Sequence, residues 1–123
     1  MRFVTLFPAT ENVHLTKDVG CIPYMLHKEY GYDSKIVTFN NGDYPYINEY
    51  LSGLKIEFIK KGNERFSCLE YVIKHAKEID ILNMYHMSLG KSLLCFYIYK
   101  KVNHKGIAYL KLDMDLRTIK IIE

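Results

Sequence analysis

The chain has 123 residues, of which 49% are hydrophobic, 25% charged and 14% aromatic, a size and composition typical of one globular domain. Its longest apolar run covers residues 93–99, far short of the ~20 residues that a membrane span needs, and its apolar content argues against disorder. The net charge is only +3 and no block of Lys or Arg stands out, so no nucleic-acid partner is indicated.

The first part of the chain predicts a strand followed by a helix. Residues 3–7 form a short apolar run that ends at Pro8, which is typical of a buried strand. Apolar residues then recur at helical spacing up to Tyr30, and Gly31 is a suitable residue to end that helix. The helix begins near Gly20 with a proline in its first turn, or it begins about one turn earlier and kinks at that proline; we favour the later start.

The middle of the chain predicts two strands joined by a loop. Residues 35–39 are rich in β-branched side chains and predict the second strand. Residues 40–53 are polar and rich in tyrosine, which indicates a loop with one helical turn. Residues 54–60 alternate apolar and charged side chains, so we expect a half-exposed strand near a sheet edge. The short connection before this third strand leaves its direction open.

The second half of the chain predicts two helices, each followed by a strand. Ser67 and Glu70 form a capping box, which predicts a helix that begins at Ser67. A fourth strand over 79–85 follows. The next helix begins at Ser88 or at Gly90 and runs to about Asn103, and a fifth strand covers 107–112. Apolar residues cover almost the whole circumference of the second helix, so we expect its surroundings to bury it. The buried face of the first helix is expected to comprise Leu69, Val72, Ile73 and Ala76.

The order of these elements predicts the fold. Strands that alternate with helices are joined by right-handed crossovers, which make a parallel sheet with helices on both faces. We therefore expect an α/β fold: an open, doubly wound, Rossmann-like, mostly parallel sheet of about five strands in three αβα layers. Residues 1–123 are expected to form one such domain.

The three cysteines, Cys21, Cys68 and Cys95, are widely spaced, and each lies in an apolar pattern. This distribution favours reduced thiols in the core of a cytoplasmic protein over a disulfide framework or a zinc site. Free cysteine behaves as a small hydrophobic residue, so we expect all three to be buried and inert and expect no bound metal.

In sheets of this type, ligands bind beyond the carboxyl ends of the strands, near the switch in strand order. His86 directly follows the fourth predicted strand. Its ring either faces this crevice and exchanges hydrogen bonds with a ligand, or is satisfied by backbone carbonyls of its own loop. Lys111 and Asp113 alternate at the end of the fifth strand and share one face. They either form hydrogen bonds with sugar hydroxyls or form a simple ion pair with each other.

The polar stretch 12–20, which follows the first strand, contains His14 and Lys17. Backbone N–H groups where the next helix begins, near Gly20, could meet a phosphate. The stretch contains neither G-x-G-x-x-G nor a P-loop motif, so a dinucleotide or P-loop site is only weakly indicated. The chain also lacks G-x-S-x-G, C-x-x-C and H-E-x-x-H, so no catalytic motif identifies a reaction.

Three segments share their pattern with one enzyme family: a first strand and loop that lead to a glycine-ended helix, a second strand, and a fourth strand that ends in histidine. The matching residues are Val19, Gly20, Leu26, Tyr30-Gly31-Tyr32-Asp33, Ile36-Val37 and Asp80-Ile81-Leu82-Asn83-Met84-Tyr85-His86. The pattern resembles the N-terminal half of two-domain GT-B glycosyltransferases, in particular the large retaining glycosyltransferase family 4, whose fourth strand ends in an active-site histidine.

The resemblance implies the acceptor-binding half of an enzyme that moves a sugar from a nucleotide-sugar donor to a sugar, glycan or lipid-linked acceptor. His86 would contact the transferred sugar as the catalytic residue, and the loop over 9–20 would approach the acceptor or the donor phosphate. The protein would be cytoplasmic, with at most peripheral membrane contact, no covalently bound cofactor and no nucleic-acid partner. The residues expected to bind acceptor or donor are His14, Lys17, Gly20, Lys111 and Asp113.

The donor-binding half of that family would lie after Glu123. The last residues of the chain are still apolar, which predicts truncation of a longer protein at its C-terminus. The nucleotide-sugar donor is therefore expected only with the missing second domain. We expect no transfer by this chain alone, because half the contacts that position the donor are missing.

The alternative is a non-catalytic flavodoxin-like or receiver-like α/β module that acts through partners. A receiver has paired acidic residues after its first strand, where this chain has Phe7-Pro8-Ala9. A flavin carrier has a Ser/Thr-rich phosphate loop in the same place, and residues 9–12 match that pattern poorly. The glycosyltransferase interpretation therefore comes first.

Overall fold

The computed structural model describes residues 1–60, 64–85 and 89–111. The strands are β1 (Arg2–Leu6), β2 (Asp33–Thr38), β3 (Lys55–Phe58), β4 (Ile81–Tyr85) and β5 (Ile107–Lys111). The helices are α1 (Asp18–Tyr30), α2 (Pro45–Tyr50), α3 (Glu64–His75) and α4 (Leu89–Val102), with 3₁₀ helices at Asn12–Thr16 and Ala76–Glu78.

The five strands form one sheet in the order β3-β2-β1-β4-β5, and every neighbouring pair is parallel. Helices lie on both faces, which confirms the predicted doubly wound α/β sheet. β3 is an edge strand, as its alternating pattern predicts, and its direction, which the sequence left open, is parallel to β2.

Each face of the sheet has its own hydrophobic core because successive strand residues point to opposite faces. One core joins the strands to α3 and α4, with Leu6 and Met84 at its centre. The other joins them to α1, α2 and the 3₁₀ helix Asn12–Thr16, with Phe7 and Ile36 among its buried residues. The second core therefore reaches the carboxyl end of the sheet, where ligand sites of this fold class lie.

Helix α1 begins at Asp18, between the two predicted starts, and contains Pro23 in its second turn. A 3₁₀ helix, Asn12–Thr16, occupies the stretch that the sequence predicted only as polar. Gly31 ends α1 with φ of 70°, the left-handed conformation that glycine adopts without strain, and its N–H donates to the His27 carbonyl at 3.0 Å. The predicted end of the helix is thus confirmed.

The predicted start of α3 at Ser67 is wrong, because the helix begins at Glu64. The Ser67 hydroxyl donates to the Lys60 carbonyl at 2.9 Å, and Glu70 accepts from Lys74 one turn later at 2.7 Å. Both side chains of the proposed capping box therefore have partners outside it.

The buried face of α3 also differs from the prediction. Val72 and Ala76 are buried as expected, but Ile73 is exposed. Cys68 and Tyr71 are buried in the core of that face instead.

The expectation of three buried cysteines is wrong for one of them. Cys68 and Cys95 are buried, but Cys21 is exposed on α1. Burial raises the pKa of the Cys95 thiol to about 11, so it stays protonated and unreactive at neutral pH. The pattern around Cys21 is apolar, but its helix turns this position outward.

Tyr99 of α4 fixes the helix against the sheet. It is fully buried, and its hydroxyl donates to the Ile79 carbonyl at 2.6 Å. Burial raises the pKa of Tyr99 to about 12. Gly106 lies so close to this ring that a Cβ at position 106 would stand 1.9 Å from the Tyr99 hydroxyl oxygen. The turn before β5 therefore requires glycine for space.

Helix α4 is not buried all round, contrary to the prediction. Ser92, Cys95 and Tyr99 point into the core, but Leu93 is 57% exposed and Tyr97 59% exposed. The difference arises because α4 belongs to an outer layer of the fold, where the sheet covers only one side of a helix.

Candidate functional site

Among the described strands, the order reverses between β1 and β4, which makes this point the switch point of the sheet. The chain runs outward from β1 through β2 to β3, and then returns to place β4 on the other side of β1. The carboxyl ends of β1 and β4 carry Phe7 and Tyr85, whose rings stack with centroids 5.8 Å apart. In open α/β sheets the crevice beyond such a point is the usual ligand site.

Hydrogen bonds from the segment after β2 fix the loop that follows β1. The Pro8 carbonyl accepts from the Thr38 hydroxyl at 2.9 Å and from the Asn41 side-chain amide at 2.8 Å. The Thr10 carbonyl accepts from the same amide at 3.1 Å and from the Tyr44 hydroxyl at 2.6 Å. The loop is thus held in one conformation before any ligand arrives.

Replacing Asn41 by Asp tests this bracing. The ionised carboxylate cannot donate and faces two carbonyl oxygens, so we expect the free energy of unfolding to fall by about 2 kcal/mol at pH 7. Below the usual carboxyl pKa of about 3.9, the protonated side chain donates again and part of the loss returns. Urea unfolding at both pH values measures the effect.

Asn40→Asp is the matched control, because it adds the same charge one residue away. Asn40 is exposed and makes no side-chain hydrogen bond within the described part of the chain. Equal losses for the two variants, or no loss for Asn41→Asp, would contradict the bracing role.

His14 lies in the 3₁₀ helix after β1 and is half-buried. Its Nδ1 accepts from the Glu11 backbone N–H at 2.9 Å, so the neutral ring carries its hydrogen on Nε2. The ring packs against Phe7 with centroids 5.0 Å apart. His14 is therefore oriented by two contacts and retains one donor, Nε2–H, for a ligand.

Lys111 at the end of β5 reaches across to the start of α1. Its ammonium group donates to the Asp18 carboxylate and lies 5.8 Å from the centre of the Tyr85 ring. The hydrogen bond to Asp18 raises the pKa of Lys111. The lysine thus forms an ion pair, one of its two predicted roles, but with Asp18.

The Lys111–Asp18 pair remains accessible, with the Lys111 side chain 40% and the Asp18 side chain 62% exposed. Asp18 lies in the first turn of α1, where its charge complements the positive end of the helix dipole. This helix N-terminus therefore already carries an anion of its own.

Lys17 and Gly20 flank Asp18 but differ in accessibility. Lys17 is the exposed residue directly before α1. Gly20 is buried against the 3₁₀ helix, where a Cβ would lie 2.3 Å from the Leu15 carbonyl oxygen. Gly20 therefore has a packing role, namely the close approach of the 3₁₀ helix to α1.

The structure brings three of the predicted site residues to the carboxyl edge: His14, Lys17 and Lys111. Two others, His86 and Asp113, lie outside the described residues. Asp18 was missed by the sequence reasoning. The only signal for it is the common preference for acidic residues in the first turn of a helix, which carries no information about a partner 93 residues away.

No family model, curated protein or solved structure matches the chain. Within residues 1–60, 64–85 and 89–111, no group of three or more His, Cys, Asp or Glu side chains is placed to hold a metal ion. None of the helices in those ranges combines the length and the apolar composition that crossing a bilayer requires. The function must therefore be inferred from the site itself.

Proposed function

We propose that this chain is the acceptor-binding half of a glycosyltransferase and that it binds a sugar at the carboxyl edge of its sheet. The observation that carries the proposal is the accessible Lys111–Asp18 pair beside the switch point between β1 and β4. The resemblance of the β1–α1–β2 and β4 segments to glycosyltransferase family 4 supports the same function.

The chemistry of the edge suits sugar hydroxyls, each of which both donates and accepts a hydrogen bond. Asp18 offers an acceptor, and Lys111, Lys17 and the Nε2–H of His14 offer donors. The Phe7 ring at the end of β1 packs against His14 and stacks on the Tyr85 ring at the end of β4. An edge that holds donors and an acceptor together matches the neutral, hydroxyl-rich acceptor of a sugar transfer.

A phosphate ligand fits the start of α1 less well. A helix N-terminus attracts anions, but Asp18 already places a carboxylate there and would repel a second negative charge. The site therefore favours the acceptor sugar over the phosphate groups of a nucleotide-sugar donor. This preference agrees with the assignment of donor binding to a separate domain.

Chemical-shift perturbation of the ¹⁵N-labelled chain tests the proposal, with glucose, mannose and N-acetylglucosamine as probes. We expect shifts at residues 8–18 and at Lys111. Lys17→Ala and Asp18→Asn should each weaken the binding several-fold. Lys17→Ala removes a donor from the site, and Asp18→Asn replaces the charged acceptor with a neutral amide and breaks the ion pair that orients Lys111. Lys28→Ala, at the far end of α1, is the control and should bind as the wild type does.

Inorganic phosphate is the second probe, and it distinguishes a site for a neutral sugar from a site for a phosphate group. We expect little effect of phosphate on the wild-type chain and a stronger effect on Asp18→Asn, which removes the competing charge. Shifts with phosphate but with no sugar would contradict the proposal. An absence of shifts with every probe would also contradict it and would favour the non-catalytic interaction module.

A further inference from the structure

The outward side of α4 presents apolar side chains to solvent in a regular row. Leu93, Tyr97 and Lys101 are spaced four residues apart, so they follow one another along one face of the helix. Leu94 lies beside them and is 41% exposed. We call Leu93, Leu94, Tyr97 and Lys101 the outer face of α4. Large apolar side chains grouped in this way on a surface mark an interaction site more often than isolated ones do.

The segment of the sequence that contains α4 has basic but no acidic residues. From Ile81 to Lys111 the chain contains five of its 17 basic residues and none of its 14 acidic residues. Lys101 and Lys105, which follows α4, are both exposed. On the neighbouring helix α3, Glu70 is already paired with Lys74. The outer face of α4 is therefore apolar, and exposed lysines lie at its C-terminal end and just after it.

Lys101 and Tyr97 form a compact amphipathic unit on this face. The ammonium group of Lys101 lies 3.3 Å from the Tyr97 hydroxyl oxygen and 5.5 Å from the centre of its ring. At a boundary between water and an apolar phase, the tyrosine ring and the lysine methylene chain contact the apolar phase, while the hydroxyl and the ammonium group stay hydrated. The two polar tips thus stand together at one end of an apolar row.

We propose that the outer face of α4 docks the protein on a membrane surface that contains anionic lipids. Leucine and tyrosine side chains enter the boundary between headgroups and acyl chains, and lysines meet the lipid phosphates. A second copy of this chain is a poorer occupant, because a symmetric contact would bring two sets of lysines together without neutralising either.

The placement of α4 gives this docking a consequence for the candidate site. The helix starts a few residues after β4 ends, so its first turns lie at the carboxyl edge of the sheet. A membrane under the outer face of α4 would thus lie beside the edge that holds Lys111 and Asp18. The inference stands independently of any sugar ligand, because it depends only on the exposure and charge of α4.

Vesicle flotation with the full 123-residue chain tests the proposal. One set of vesicles contains phosphatidylcholine alone, and the other contains equal parts of phosphatidylcholine and phosphatidylglycerol. We expect binding to the mixed vesicles only, weakened by added salt. Lys101→Gln and Lys105→Gln should each weaken binding roughly fivefold, and Leu93→Ser with Tyr97→Ser should abolish it.

Met25→Ser with Tyr30→Ser is the matched control, because both residues are exposed and apolar but lie on α1, across the sheet from α4. Circular dichroism checks that each variant is folded. Absence of binding to mixed vesicles, or an equal loss in the control, would overturn the proposal. Two other results would overturn it if the vesicles do not bind: a Leu93-dependent dimer in analytical ultracentrifugation, or a Leu93-dependent complex with polyglutamate.

Discussion

Replacing Gly20 by Ala is expected to lower the free energy of unfolding by about 3 kcal/mol, because the added methyl group has no space. A Cβ at position 20 would lie 2.3 Å from the Leu15 carbonyl oxygen and 2.8 Å from the Leu15 Cα. These neighbours are backbone atoms, so no rotation of a side chain can relieve the contact. The 3₁₀ helix must move away from α1.

Urea unfolding measures this effect, and Gly90→Ala is its control. Gly90 is also helical, but a Cβ there would meet nothing within 4 Å, so alanine should stabilise the protein by up to about 1 kcal/mol through its helix propensity. Because His14 precedes Leu15, Gly20→Ala should also reduce the sugar-induced shifts at the carboxyl edge. A Gly20→Ala variant as stable as the wild type would contradict the packing role of this glycine.

Replacing Gly106 by Ala is expected to cost about 2–3 kcal/mol through a clash with a buried side chain. The new methyl group would stand 1.9 Å from the Tyr99 hydroxyl oxygen and 2.6 Å from the ring carbon that carries it. Tyr99 cannot easily turn away, because it is fully buried and its hydroxyl is bonded to the Ile79 carbonyl. Thermal or urea unfolding measures the loss.

The double variant Gly106→Ala/Tyr99→Phe shows whether the hydroxyl causes the clash. Tyr99→Phe alone should cost about 1 kcal/mol for its lost hydrogen bond, although Asn103 still donates to the Ile79 carbonyl at 2.8 Å. Without the oxygen the methyl group has more space. The double variant should therefore lose less free energy of unfolding than the sum of the two single-variant losses, by about 1 kcal/mol or more. Strictly additive losses would assign the cost of Gly106→Ala to another cause.

The sheet was predictable because its signals are local. Apolar runs and β-branched segments locate the five strands, and their alternation with helices implies parallel crossovers without any knowledge of distant contacts. Even the edge position of β3 follows from the charged residues that alternate along it, Lys55 and Glu57. The carboxyl edge could be proposed as the site because ligands bind there in parallel sheets of this type, whereas the strand order and its switch point came only from the structure.

The features that the sequence did not predict depend on contacts between elements that are far apart along the chain. Asp18 and Lys111 are 93 residues apart, and each could pair with a nearer charge. The capping-box pattern at Ser67 is local and still misled, because the helix begins three residues earlier, at Glu64, and Ser67 lies inside it. The composition of α4 indicated full burial, but whether a helix is covered on its outer side depends on the layers around it. Leu93 and Tyr97 are exposed for this reason.

The central place of β1 affects the order in which the chain folds during synthesis. β1 is made first, yet one of its two neighbours is β4, with Phe3 beside Ile81. Until residue 85 has left the ribosome, the backbone along that side of β1 has no native partner and can pair with another nascent chain. Closing this gap joins segments far apart in sequence, which is intrinsically slow. Chaperone protection would therefore matter most while α3 and β4 are being translated.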